Sequence, residues 1–177
     1  MSTKELYQLY KAHPHVFTDT RKPVKGGIYF ALSGPNFNGN LFAKQALELG
    51  AAHAIVDQAP EQEIKGVHLV PDVLKALQDL ALFHRRQLKC QVLGITGSNG
   101  KTTTKELVAM VLSQKYKTHY TQGNLNNHIG VPLTILSIDP DAEIAVIEMG
   151  ASKPKDIQEL CEIAEPDYGL ITNIGKA

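Results

Sequence analysis

Val92-Leu93-Gly94-Ile95-Thr96-Gly97-Ser98-Asn99-Gly100-Lys101-Thr102 joins an apolar, strand-like run to the start of a helix through a glycine-rich turn. A chain that grips the phosphates of a nucleotide needs this layout. Gly97 and Gly100 let the backbone aim its N–H groups at an anion, and the helix that follows points its positive end the same way. Lys101 can reach the β- and γ-phosphates, and the Thr102 hydroxyl can ligate Mg²⁺. The general pattern G-x-x-x-x-G-K-[ST] would put its first glycine at position 95, which is Ile95; Gly94 comes one residue early. The local form is therefore T-G-x-x-G-K-T. Strand, turn, Lys-Thr and helix fall in the required order, so a nucleoside triphosphate is the expected ligand.

Around this loop, residues 90–177 alternate strand and helix with short connections. Strands are expected near 91–96, 117–121, 143–148 and 168–172, and helices near 101–114, 128–137 and 154–164. The apolar run Ile144-Ala145-Val146-Ile147 suits the interior of a parallel sheet covered on both faces. Residues 1–89 read as a separate small α/β domain. An amphipathic helix carries Leu6, Leu9 and Tyr10, and a strand follows at Gly27 to Leu32. Ser33 to Asn40 is a Gly/Asn/Pro-rich loop. A helix near 41–49 ends at Gly50, strands follow at 54–56 and 67–70, and a helix begins after Pro71. That last helix ends in His84-Arg85-Arg86, basic residues suited to the negative end of its dipole. The domain boundary is placed at 88–91. The fold class is thus α/β, a small N-terminal domain followed by a partial P-loop parallel-sheet domain.

Composition narrows the partners. Eighteen basic and eighteen acidic residues among 177 give a formal charge of zero, which advertises no face for nucleic acid. The longest apolar runs fall short of a membrane span, and the N-terminus lacks a signal-peptide core, so the cytoplasm is expected. Cys90 and Cys161 fit no metal or redox spacing and read as buried free thiols.

A second constellation follows the loop. Glu148 ends its apolar strand and precedes Met149-Gly150, where a nucleotide-binding sheet holds Mg²⁺ directly or through water. Between them lies Gln122-Gly123-Asn124-Leu125-Asn126-Asn127-His128-Ile129-Gly130-Val131-Pro132. Its asparagines suit a polar, anionic ligand near a helix N-terminus, but on spacing alone a helix cap with an Asx turn is the stronger reading. His13 and His15 flank Pro14 in a surface turn, and His53, His68, His84 and His119 are scattered in sequence. His128, beside the asparagines, is a lesser candidate for substrate contact.

Gly94 to Glu106 resembles the ATP-binding loop of the Mur ligases, whose T-G-x-x-G-K-T form is shared with folylpolyglutamate synthetases. Gly123-Asn124-Leu125-Asn126-Asn127 with Ile129 to Thr134, and Val146 to Ser152, resemble the member of that family that adds D-alanyl-D-alanine. Asp19-Thr20-Arg21, Gly27 to Leu32, Gly39 and Ala46 to Ala51 resemble the family's uridine-nucleotide domain. Asn38-Gly39-Asn40 stands where many relatives have Asp-Gly-His.

The resemblance implies an ATP-dependent amide ligase of peptidoglycan precursor synthesis, and hence of cell-wall biogenesis, cell shape and division. It acts on UDP-N-acetylmuramoyl-tripeptide and D-alanyl-D-alanine through an acyl phosphate, and is a monomer when full length. ATP would be held by Thr96, Gly97, Ser98, Asn99, Gly100, Lys101, Thr102 and Thr103. Lys101 and Glu148 would be catalytic, and Thr102 and Glu148 would ligate Mg²⁺. Thr20, Arg21, Asn124, Asn126 and Asn127 would bind substrate. Mur ligases have three domains, and the likeness covers the substrate-binding domain and the first half of the ATPase domain. The chain alone is therefore expected to be inactive and to expose apolar surface at a sheet edge. The competing readings are a sister Mur ligase, a folylpolyglutamate synthetase-like ligase, and a P-loop NTPase with an interaction domain.

Overall fold

Two four-stranded sheets, both wholly parallel, organise the chain, and the structure, a computed structural model, describes residues 1–175. Contacts divide the chain into two compact units, Met1–Leu80 and Ala81–Ala177. The division passes through a helix, Val73–Arg85.

The first unit opens with α1 (Thr3–Ala12). Ser2 accepts from the Glu5 N–H while the Glu5 carboxylate takes the Ser2 N–H, a reciprocal cap that contributes roughly 1 kcal/mol. Leu6 and Tyr10 are the residues this helix buries. Its sheet runs β1-β2-β5-β6, from β1 (Val16–Phe17), β2 (Ile28–Phe30), β5 (His53–Val56) and β6 (Val67–Leu69). Between β2 and β5 lie a two-residue hairpin, β3 (Ser33–Gly34) with β4 (Phe37–Asn38), a 3₁₀ turn at Gly39–Phe42, and α2 (Ala43–Glu48). Phe17, Tyr29, Ala31, Ala46, Ala54 and Val56 form one apolar cluster, since both faces of this sheet are buried. β1 and the hairpin carry no alternating pattern of readable length and were not expected.

The second unit follows α3 (Val73–Arg85) with β7 (Gln91–Thr96), α4 (Lys101–Leu112), β8 (Thr118–Tyr120), α5 (Gly130–Leu136), β9 (Ile144–Glu148), α6 (Asp156–Ala164) and β10 (Tyr168–Ile171). The expected strands and helices are all present; β7 has the expected bounds and the others are shorter than expected. The sheet order is β10-β7-β9-β8. Ile95 pairs with Glu148, so the carboxyl ends of β7 and β9 lie side by side. Tyr168 and Ile171 on β10, the outermost strand of this sheet among the described residues, are exposed.

Arg85 and Arg86 do more than complement a helix dipole. Arg85 donates to the Ala164 and Glu165 carbonyls and to Asp167, and Arg86 pairs with Glu165, fastening the end of α3 to the turn before β10. Cys90 is buried and Cys161 half-buried, and burial pushes both thiols up.

Candidate active site

The glycine turn sits at the carboxyl end of β7 and feeds α4. Gly100 caps the helix in the left-handed region (φ +78°), and Gly97 has φ +141°. A Cβ on Gly97 would meet Thr172 Oγ1 at 2.1 Å, so this position admits no side chain. The N–H groups of the first helical turn, Lys101 to Thr103, have no acceptor within the helix and face the loop. Lys101 folds its ammonium back onto the Gly97 carbonyl at 2.7 Å.

A neighbouring strand completes the turn. Thr172 donates to the Asn99 carbonyl at 2.6 Å, and the Asn99 N–H donates to Asn173 Oδ1 at 2.9 Å. The Ser98 N–H reaches the Asn173 carbonyl, and Ser98 Oγ accepts from the Gly175 N–H. Thr172 and Asn173 were not singled out from sequence; they become legible only once β10 is known to lie beside β7.

Glu148, 1% exposed, brings the second constellation to the loop. Its Oε1 accepts from Thr102 Oγ1 at 3.2 Å and from Asn126 Nδ2 at 2.8 Å. Its Oε2 is buried and has no hydrogen-bond partner among the described residues. A buried, unsatisfied carboxylate oxygen costs several kcal/mol unless a cation meets it. The donor set, a carboxylate and a hydroxyl, has the hard-oxygen chemistry that Mg²⁺ prefers. The residues fit the ion.

Below the site, the Glu148 N–H donates to Thr121 Oγ1 at 2.9 Å, and the buried Lys105 ammonium donates to the Thr121 carbonyl at 2.7 Å. The three asparagines divide. Asn126 reaches Glu148, and its carbonyl accepts from the Gly150 N–H at 2.7 Å. Asn127 Oδ1 accepts from the N–H groups of Ile129 and Gly130, an Asx turn leading into α5, which is the local, capping-type role that spacing favoured. Asn124 is exposed in the turn, and its carbonyl accepts from the Asn126 N–H. His128 bonds Asp156 Oδ1 at 3.1 Å and lies 3.7 Å from Glu159. The N–H groups of Ser152 and Lys153, together with His128, hold the Asp156 carboxyl below its ordinary range.

Thr20 and Arg21 belong to the first unit and take part in none of these bonds. The exposed Arg21 guanidinium is bidentate on Asp19 and, with its own N–H, holds that carboxyl at about 2. Three histidines scattered in sequence meet in this unit. His53 Nδ1 and His68 Nε2 are 2.9 Å apart, and the His13 ring packs edge-on against His53 with centroids 5.1 Å apart. His13, expected in an exposed turn, is thereby half-buried. Strand pairing, which spacing does not reveal, makes the cluster.

Residues 95–177 match the Mur ligase middle domain. UDP-N-acetylmuramoyl-tripeptide--D-alanyl-D-alanine ligase of Bacillus subtilis is 46% identical over 164 residues, covering 92% of this chain and 36% of the relative. The enzyme of the same name from Synechocystis is 44% identical, again over 92% and 36%. Among solved structures, MurF from Acinetobacter baumannii superposes with a TM-score of 0.88 at 33% identity, over 99% of this chain and 41% of that one. MurF from Thermotoga maritima in complex with ADP gives 0.84 at 35% identity, over 94% and 38%. The chain therefore spans little more than a third of the length of these curated relatives. Among the described residues no helix is long and apolar enough to cross a membrane. Likeness that runs through both units, in residues and in backbone shape alike, is the mark of common descent, and the chain belongs to the Mur ligase family.

Proposed function

We propose that this chain serves an ATP-dependent ligase that joins D-alanyl-D-alanine to UDP-N-acetylmuramoyl-tripeptide, a cytoplasmic step of peptidoglycan precursor synthesis. One observation carries the reading: the buried Glu148 carboxylate, held by Thr102 and Asn126 behind a glycine loop, with one oxygen left without a partner. The relatives named above, and the ADP complex of one of them, support the choice of ATP and of the two substrates. In this reading residues 1–89 take the uridine nucleotide, with Thr20 and Arg21 near its phosphates. Residues 90–177 form the first half of the ATP-binding domain, and the whole enzyme is a monomer.

The chemical difficulty is that a carboxylate is a poor electrophile and must meet a second anion. The substrate carboxylate attacks the γ-phosphorus, and ADP leaves. The amine of D-alanyl-D-alanine then attacks the acyl carbon, phosphate departs, and the nitrogen sheds a proton as the amide forms. Thr96, Gly97, Ser98, Asn99 and Gly100 shape the cradle, and the N–H groups of Lys101 to Thr103 face the phosphate oxygens. The Lys101 ammonium leaves the Gly97 carbonyl and follows the negative charge as it moves onto the transferred phosphoryl group. Mg²⁺, when bound by Thr102 and Glu148, supplies further neutralisation of phosphate charge. Asn126 keeps the Glu148 carboxylate oriented. Asn124 and the amide nitrogen of Asn127 present donors toward the substrate.

The test is an amine-exchange assay with the intact enzyme, scoring D-alanyl-D-alanine against diaminopimelate, lysine and glutamate. Amide formation with D-alanyl-D-alanine alone is expected. Dependence on glutamate and a folate would overturn the assignment.

A further inference from the structure

Lys105 is 0% exposed, a lysine sealed inside the second unit. An ammonium there loses several kcal/mol of hydration, which an apolar residue at the same inward position of α4 would not. Ala109, one turn further along, shows that this helix face otherwise takes apolar groups. Among the described residues the ammonium meets the Thr121 carbonyl at 2.7 Å, the Glu106 carboxylate at 2.8 Å, and the Tyr120 ring, 5.7 Å to its centroid.

Thr121, also fully buried, is the next link. Its N–H donates to the Val146 carbonyl, its own carbonyl takes the Lys105 ammonium, and its hydroxyl takes the Glu148 N–H at 2.9 Å. It stands just beyond Tyr120↔Val146, the last paired position of β8 and β9: its N–H still bonds the Val146 carbonyl, but the Glu148 N–H turns to its hydroxyl rather than to its carbonyl. Thr102 and Lys105 lie one turn apart on α4. One helix thus hands a hydroxyl to the Glu148 carboxylate and, through Thr121, fixes the backbone that carries it.

We propose that Lys105 is a positioning residue for the metal-binding acid: it locks Thr121 so that Glu148 and Thr102 present their oxygens to the nucleotide's Mg²⁺ in one register. The proposal rests on the assignment of Mg²⁺ to Thr102 and Glu148, not on the identity of the amine substrate.

The test is calorimetric binding of a non-hydrolysable ATP analogue to the intact enzyme, with Mg²⁺ and with EDTA. In Lys105→Met the gain in affinity that Mg²⁺ confers falls about tenfold, while affinity in EDTA is unchanged. Adding Glu148→Gln to Lys105→Met lowers the gain no further than Glu148→Gln alone. Thr121→Val, which removes only the hydroxyl, shows the same Mg²⁺-specific loss and decides the matter if Lys105→Met does not fold. A wild-type Mg²⁺ gain in either single variant, or equal losses with and without the ion, would overturn the proposal. Retention of the gain in Glu148→Gln would remove the metal assignment, and the proposal with it. Failure of the ligase reading appears elsewhere, as absent amide formation by the unaltered enzyme.

Discussion

Thr102 Oγ1 lies 3.2 Å from Glu148 Oε1, joining the first turn of α4 to the carboxyl end of β9. The pair couples the element proposed to hold phosphates to the element that supplies an acid, and Asn126 closes on the same oxygen from a third element. Only Oε1 is engaged, which leaves the carboxylate asymmetric and its second oxygen in need of a cation.

Glu148→Gln separates charge from shape. The carbonyl of Gln keeps the bonds from Thr102 and Asn126, so the melting temperature should shift by no more than a few degrees. Mg²⁺ should lose most of its effect on nucleotide affinity, and titration of the ion against turnover measures it. A normal metal titration would remove Glu148 from the site.

Lys101→Ala deletes the ammonium that rests on the Gly97 carbonyl of the loop. Turnover by the intact enzyme should fall roughly a thousandfold, the scale of losing a preorganised charge-stabilising donor. Binding of the UDP-linked substrate should be largely unchanged, and equilibrium binding alongside single-turnover kinetics tests both halves.

Gly97→Ala attacks the loop through its backbone. The added methyl would lie 2.1 Å from Thr172 Oγ1 at a φ of +141°, so the turn must distort or release β10. A stability loss of about 1–3 kcal/mol is expected from the strain, with loss of measurable ATP-analogue binding. Denaturant titration and calorimetry read the two effects separately.

Acid should weaken the first unit. Burial, and then the charges of neighbouring His68 and His13, push His53 below its ordinary value, and burial does the same to His68. Folded-state values below those of the unfolded chain mean that the unfolded chain takes up protons first as pH falls. The stability conferred by the neutral rings is therefore complete above about pH 6.5 and drains away as pH drops through the lowered folded values. One imidazole must donate and the other accept across the 2.9 Å contact, so double protonation breaks it. Urea unfolding at pH 7.5 and 5.5 should show a drop for the wild type and a smaller one for His68→Gln.

Much of the second unit was legible because its signals are local. A buried parallel strand writes itself as an apolar run, as in Ile144 to Ile147, and a phosphate turn needs glycines at fixed offsets before Lys-Thr. Glu148 could be placed because a strand's carboxyl end is where ligands meet such sheets. Thr121, Lys105, Thr172 and Asn173 stayed hidden for one physical reason: their roles depend on which strands are neighbours, and the order β10-β7-β9-β8 leaves no periodic trace. The histidine cluster of the first unit escaped in the same way. Asn127 shows the reverse, since its Asx-turn bond is local and the plain reading of its spacing describes it.

The bond from Asn99 to Asn173 spans 74 positions of sequence. A ribosome making this protein therefore releases the glycine turn long before the strand that finishes it, and the entropy of closing so long a loop must be overcome late. Until Thr172 and Asn173 have emerged, the nascent chain lacks part of its nucleotide cradle. On the proposed reading, tight capture of ATP is thus deferred until the sheet behind it has been assembled.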